Sequence, residues 1–264
     1  MKKYFRVVKN TWEEILTYRL SFIMWRVRTV VLLLSIYFLW YSVLPKNATL
    51  FGYSQSMMLT YILGTSIMLA IVSSTRTYEI GEEINRGNLT NDLLRPINYL
   101  LYKFAREVGD KAMNISFSVI ELAILFFLLK PPIFLQTDLI FIFFFLISTI
   151  LAVFVLFFIN FLLGLVGFWS PEYWAPRFIF WMIFGFFAGS YFPLDILPET
   201  IYNLFHALPF YYLLYFPLKI YLGNVSLPEI YQGIIISLFW LFAFYFLANL
   251  VWKRGLRMYT AAGR

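Results

Sequence analysis

The stretch Leu139–Trp169, LIFIFFFLISTILAVFVLFFINFLLGLVGFW, runs for 31 residues without a charged side chain. Its hydroxyl and amide groups are confined to Ser148, Thr149 and Asn160. A helix crosses the hydrocarbon core of a bilayer with about 20 largely apolar residues. A helix that is apolar all round has no polar face to turn toward water. The run therefore reads as membrane-spanning, and it is longer than one straight crossing requires. The rest of the chain agrees. Of 264 residues, 61% are hydrophobic, 22% aromatic and only 13% charged, against roughly 25% charged in soluble domains. These proportions exclude a disordered chain, a disulfide scaffold and a nucleic-acid-binding module. The absence of cysteine removes disulfides, thiolate nucleophiles and thiolate-bound metals. A single histidine, His206, argues against a histidine-based metal site or a Ser-His-Asp triad, so no catalytic or metal-binding residue is assigned.

Working outward from that run, five more charge-poor stretches reach spanning length. Thr29–Leu44 extends back through Trp25, with Arg26 and Arg28 snorkelling at its start. The others are Met57–Thr75, Ala112–Leu129 (broken only by Glu121), Phe178–Leu194 and Ile230–Trp252. Thr200–Leu218 is apolar enough, but Pro209 divides it into halves too short to cross. With six crossings and a cytoplasmic N-terminus, all but Lys46, Lys130 and Lys219 of the 21 lysines and arginines face the cytoplasm. That is the positive-inside distribution. A seventh crossing would carry Lys253, Arg254, Arg257 and Arg264 outside. The expectation is an all-α integral membrane fold in one domain over 1–264. It has six transmembrane helices, both termini cytoplasmic, and an external re-entrant segment at 195–228 between helices five and six. Residues 1–20 form an amphipathic interfacial helix, because Phe5, Val8, Trp12, Ile15 and Leu16 recur at helical spacing among Lys2, Lys3, Arg6 and Lys9.

The one sizeable hydrophilic stretch is Arg76–Lys111, which holds six of the 14 acidic residues. Tyr78–Arg86 reads as a continuation of the second span, Gly87 as its C-cap, Asn88–Arg95 as a short helix and Pro96 as its stop. With Leu89, Leu93 and Leu94 on an apolar face, the shape is that of a docking knob. Glu121 stands near the middle of the third span, where a bare carboxylate costs at least about 2.5–3.5 kcal/mol. If spans three and four form a hairpin turning near residues 134–135, Ser148 and Thr149 lie at the depth of Glu121. A helix–helix hydrogen bond from Glu121 to one of them, which a glutamine would preserve, is the first reading. A place in a polar substrate path is the second, and proton coupling the third.

The run Glu83-Ile84-x-x-Gly87-x-Leu89-x-x-x-Leu93-Leu94-Arg95-Pro96 resembles the cytoplasmic-loop motif of type-2 ABC export permeases. Trp252-Lys253-Arg254-Gly255-Leu256-Arg257-Met258-Tyr259 resembles the tail of the same group. Gly189-Ser190-Tyr191-Phe192-Pro193-Leu194, followed by Leu197-Pro198 and Leu208-Pro209-Phe210, resembles its external segment. The matches fall in order and span essentially the whole chain. The resemblance implies the permease subunit of an ATP-driven exporter, in the bacterial or archaeal plasma membrane. It implies pairing with a second permease chain, identical or related, and with cytoplasmic ABC ATPase subunits. ATP and Mg then belong to the ATPase, and this chain binds no cofactor of its own. No G-x-x-x-x-G-K-[ST] phosphate loop occurs in the sequence, so energy must arrive by contact. The resemblance assigns that contact to Glu83, Gly87, Leu89, Leu93, Leu94, Arg95 and Pro96, with Asn91–Pro96 in a cleft of the ATPase. Two other readings remain at this point. A secondary transporter calls for internal repeats and several buried charges. A lipid-modifying enzyme calls for carboxylates or histidines clustered at the membrane face.

Overall fold

The computed structural model describes residues 2–17, 19–45 and 49–260. Lys46 and Arg264, which enter the charge distribution, and Met1 and Tyr18 of the N-terminal stretch lie outside the described residues. Among the described residues there is no strand, and Leu50 and Tyr53 form an isolated bridge. The helices are α1 (Lys2–Thr17), α2 (Arg19–Val43), α3 (Gln55–Met68), α4 (Tyr78–Asn85), α5 (Leu89–Leu93), α6 (Tyr99–Leu129), α7 (Leu139–Leu165), α8 (Trp174–Phe187), α9 (Glu199–Ala207), α10 (Tyr215–Tyr221) and α11 (Leu227–Met258). Among the described residues, five stretches are long and apolar enough to cross a membrane: α2, the run from α3 to α4, α6, α7 and α11. The protein is an all-α, multi-pass membrane protein.

Local chemistry sets the helix ends. Ser54, Asn98 and Asp138 each accept a backbone N–H with their side chains at the starts of α3, α6 and α7, and Ser226 and Glu229 form a reciprocal capping box on α11. α6 stops at Leu129 because Pro131 and Pro132 follow, and residues 130–138 carry no regular structure. α7 is the central post. It packs against α11, α10 and α4, and its buried face includes Leu156, Phe157 and Phe161.

Two spans differ from the sequence expectation. The second does not run on into the loop. α3 passes into a π-helical turn, Leu69–Ser73, and the backbone is unwound at residues 74–76 before α4 begins. The fifth, expected at Phe178–Leu194, is helical only as α8. Its 14 residues rise about 21 Å, short of the ~30 Å hydrocarbon core. It ends where Gly189 takes φ +77 and Tyr61 Oη donates to the Gly189 carbonyl at 2.5 Å. The chain then folds back through α9 and α10. Tyr211 through Phe216 are all buried with α3, α7 and α8 in the main core. Polar side chains tie this segment down: Tyr53 Oη donates to Asp195 at 3.0 Å, and Lys219 Nζ donates to the Tyr202 hydroxyl at 3.0 Å.

A candidate docking knob clamped by both arms of the chain

α4 and α5 form a helix–turn–helix beyond the end of the bundle. Gly87 turns the chain with φ +74, a conformation an L side chain rarely adopts. α4 seats on the end of α7. Gly81 and Gly167 approach so closely that a Cβ on Gly167 would lie 2.9 Å from the Gly81 Cα. Ile80, Ile84 and Leu89 fill the cluster beneath with Phe157, Phe161 and Phe168.

The sequence-assigned docking residues separate into two groups. Leu93, Leu94, Arg95 and Pro96 form an unbroken exposed run, with Leu94 79% accessible. Leu89 departs from the expected docking face: it is fully buried, because its spacing from Ile80 and Ile84 turns it into the core. Glu83 is internal in role. It pairs with Lys103 and accepts the Tyr99 hydroxyl at 2.9 Å, fixing α4 to the start of α6. Asp92 accepts from Arg95 Nη1 at 3.0 Å. Burial pushes its carboxyl above the ordinary aspartate value, with Glu83 adding and Lys103 and Arg95 opposing.

The knob is held at entry and exit by residues far away in sequence. At the entry, Tyr259 Oη donates to the Gly87 carbonyl at 2.7 Å and accepts the Thr90 N–H at 3.2 Å. Trp252 stacks on Tyr99 with centroids 4.8 Å apart, and Gly255 leaves room for the Phe168 ring. The loop motif and the tail motif thus form one site. At the exit, Lys3 Nζ donates to the Pro96 carbonyl at 3.0 Å, and the Asn98 N–H donates to Tyr4 Oη at 3.4 Å. α1 lies along α6, its Thr11 against Gly109. At the base, Glu14 takes Arg76 at 3.2 Å and Arg106 at 2.8 Å, and Glu79 and Asp110 complete the network. The unwound end of α3 is capped by Lys111, which donates to the Val72 and Ser74 carbonyls at 2.8 and 2.7 Å and pairs with buried Glu107 at 3.1 Å.

Glu121 has a different partner from the one expected. Ser148 and Thr149 both donate to the Phe145 carbonyl of their own helix. The hairpin assumption fails because residues 130–138 are an irregular passage, and α6 and α7 meet through Phe104 on Phe154 and Phe157 without packing at Glu121. α2 faces Glu121 instead. Arg26 Nε donates to Glu121 Oε1 at 2.8 Å, Nη2 bonds Oε2 and Ser118 Oγ, and Nη1 reaches Asn114. Arg26 does not snorkel: it is only 7% exposed. Charge complementarity between spans one and three was the signal available in the sequence.

Among the described residues the chain is a bundle of apolar, membrane-length helices with an exposed apolar run on a short helix–turn–helix. A family model described as ABC-2 family transporter protein matches residues 30–263, and the chain belongs to that family. It is a permease of the ABC-2 type, a membrane transport component. No curated protein matches the chain in sequence.

Proposed function

We propose that this permease is the membrane-spanning half of an ATP-driven exporter and is worked by separate cytoplasmic ABC ATPase subunits through the α4–α5 knob. The observation that carries the reading is the exposed run Leu93–Pro96, presented by a turn whose two ends are pinned. An apolar pair left in water at the tip of an ordered structure is an interface anchor. Two permease chains, identical or related, enclose the substrate path, and ATP and Mg reside on the ATPase. The chain crosses a bacterial or archaeal plasma membrane six times, the short α8 making the fifth crossing where the bilayer thins around it, and residues 195–228 re-enter from the outside. Both termini are cytoplasmic. The burial of Tyr211–Phe216 supports re-entry, since irregular backbone at membrane depth must be covered by protein. α1 lies at the cytoplasmic interface.

Copurification with the ATPase tests the reading. Leu93→Asp places a charge where an apolar anchor enters the cleft and should abolish ATPase association while leaving insertion intact. Wild-type association and stimulated hydrolysis in Leu93→Asp would remove the knob from the mechanism.

A further inference from the structure

Three of the cations buried in this protein are paired with a carboxylate of the same chain: Arg26 with Glu121, Lys103 with Glu83 and Lys111 with Glu107. Arg177 is also buried, at 4% exposed, and no carboxylate among the described residues pairs with it. Its contacts are weak ones. Nη2 reaches Asn160 Oδ1 at 3.5 Å, and the guanidinium carbon lies 5.7 Å from the centroid of the Tyr78 ring. Nε and Nη1 find no acceptor among the described residues. A guanidinium carries five N–H donors and stays charged, so burial without a counter-charge costs stability.

Arg177 stands in the first turn of α8, where two more donors are open. No side chain caps the helix at Tyr173, so the N–H groups of Trp174 and Ala175 remain to be met. Helical side chains lean toward the N-terminus, which carries the guanidinium back over that end. The positive end of the helix dipole adds to the cation there. The rim is aromatic: Trp174 is 60%, Phe178 55% and Tyr78 39% exposed. Trp174 and Phe178 are four apart and share one stripe of the helix. The Tyr173 ring lies against Gly81 of α4, which puts the site beside the base of the knob. We propose that Arg177 and the N-terminus of α8 receive the phosphate or carboxylate headgroup of an anionic amphiphile, whose apolar part lies on Trp174 and Phe178. This rests on the exporter reading and names its substrate class, amphiphilic anions taken from the cytoplasmic leaflet.

The full-length permease, purified in an uncharged maltoside detergent without ATPase, is titrated with dioctanoyl phosphatidate, dioctanoyl phosphatidylcholine and inorganic phosphate. Phosphatidate should bind saturably and, at about a hundredfold excess over its Kd, raise the thermal midpoint by roughly 5 °C. Phosphatidylcholine, whose phosphate is already balanced, and inorganic phosphate, which has no apolar part, should each bind at least about tenfold more weakly. Arg177→Gln should weaken phosphatidate by at least about tenfold. Arg177→Lys should stay closer to wild type, because it keeps the charge and loses only the planar fork. Without ligand, Arg177→Gln should unfold at or above the wild-type midpoint, since it removes an uncompensated buried charge. An arginine held for structure alone would behave in the opposite way. Wild-type phosphatidate affinity in Arg177→Gln overturns the proposal, as does equal binding of inorganic phosphate or an Arg177→Gln that unfolds several degrees lower. Absence of saturable phosphatidate binding overturns it too and leaves the counter-charge to a second chain. No ATPase enters the measurement, so its failure is distinguishable from failure of Leu93→Asp to disrupt docking.

Discussion

Glu121→Gln distinguishes the ion pair from the hydrogen bond first read for Glu121. With a serine or threonine partner, glutamine would keep the bond and the stability. With Arg26 as partner, glutamine leaves a guanidinium that is 7% exposed facing a neutral amide. Breaking a buried pair by removing one charge costs about 3–5 kcal/mol, because the other charge stays buried without compensation. Ser118 and Asn114 still accept from Arg26, which holds Glu121→Gln to the lower end, and Glu121→Leu should reach the upper end. At roughly 2–4 °C per kcal/mol for chains approaching this size, the midpoint should fall on the order of 10 °C. Removing both charges in Arg26→Met/Glu121→Leu should return most of the loss, since an apolar pair of similar volume often matches a buried ion pair. Thermal unfolding of wild type, Arg26→Met, Glu121→Leu and the double variant in one detergent closes a double-mutant cycle. A wild-type midpoint for Glu121→Gln, or a double variant no more stable than Glu121→Leu, would refute the reasoning.

Tyr259→Phe removes the hydroxyl that binds Gly87 and Thr90, a loss of about 1–3 kcal/mol at a part-buried site. ATPase copurification should persist while stimulated hydrolysis falls, and unaltered stimulation would free the tail from coupling. Single cysteines at positions 50 and 225 should react with an impermeant reagent from outside, and those at 94 and 260 should not; external reaction at 260 would defeat the six-crossing topology. Asp92 has a folded-state carboxyl raised above its unfolded value, so its ionised form is penalised in the fold at neutral pH, and the penalty lifts as pH falls through the raised value. Asp92→Asn should therefore lose a stabilisation that grows on acidification, making the net acid loss steeper without lowering stability at neutral pH. A shallower acid loss in the variant would contradict that sign.

Much of the helical layout was readable because bilayer thickness imposes a length on apolar runs, and five of the six stretches recur within long helical runs with adjusted ends. The knob was readable because Gly87 and Pro96 punctuate it. What failed to show was pairing between distant segments. The break at residues 74–76 carries no glycine or proline and is stabilised by Lys111, 35 and more positions away. α8 was expected too long because Ala188–Leu194 is apolar, and hydropathy does not register that Gly189 turns back onto Tyr61. Arg26 was assigned to the interface from its position near the start of a span, although only a carboxylate on the facing helix decides whether such an arginine snorkels. Tyr259 was quoted within a motif, yet its bond to Gly87 joins residues 172 apart.

The break beneath the knob decides how a push on it would be distributed. α4 is joined directly to α7 by the Gly81–Gly167 approach and to α11 by Tyr259, but to α3 only through unwound residues 74–76. A π turn followed by unwound backbone is a hinge unless its freed carbonyls are held. Lys111 holds two of them and is itself fixed by Glu107. Lys111→Met should lower folded yield sharply, because Glu107, 1% exposed, would be left without its cation. Lys111→Met/Glu107→Gln removes the orphaned charge and leaves only the carbonyls unmet, so it should recover most of the folded yield. On the coupling reading, that double variant should still bind the ATPase through Leu93 and Leu94 yet lose most stimulated hydrolysis, since α3 is no longer tied to the knob. A double variant that folds, binds and couples as wild type does would show that α3 moves independently of the Lys111 cap, leaving α7 and α11 as the route.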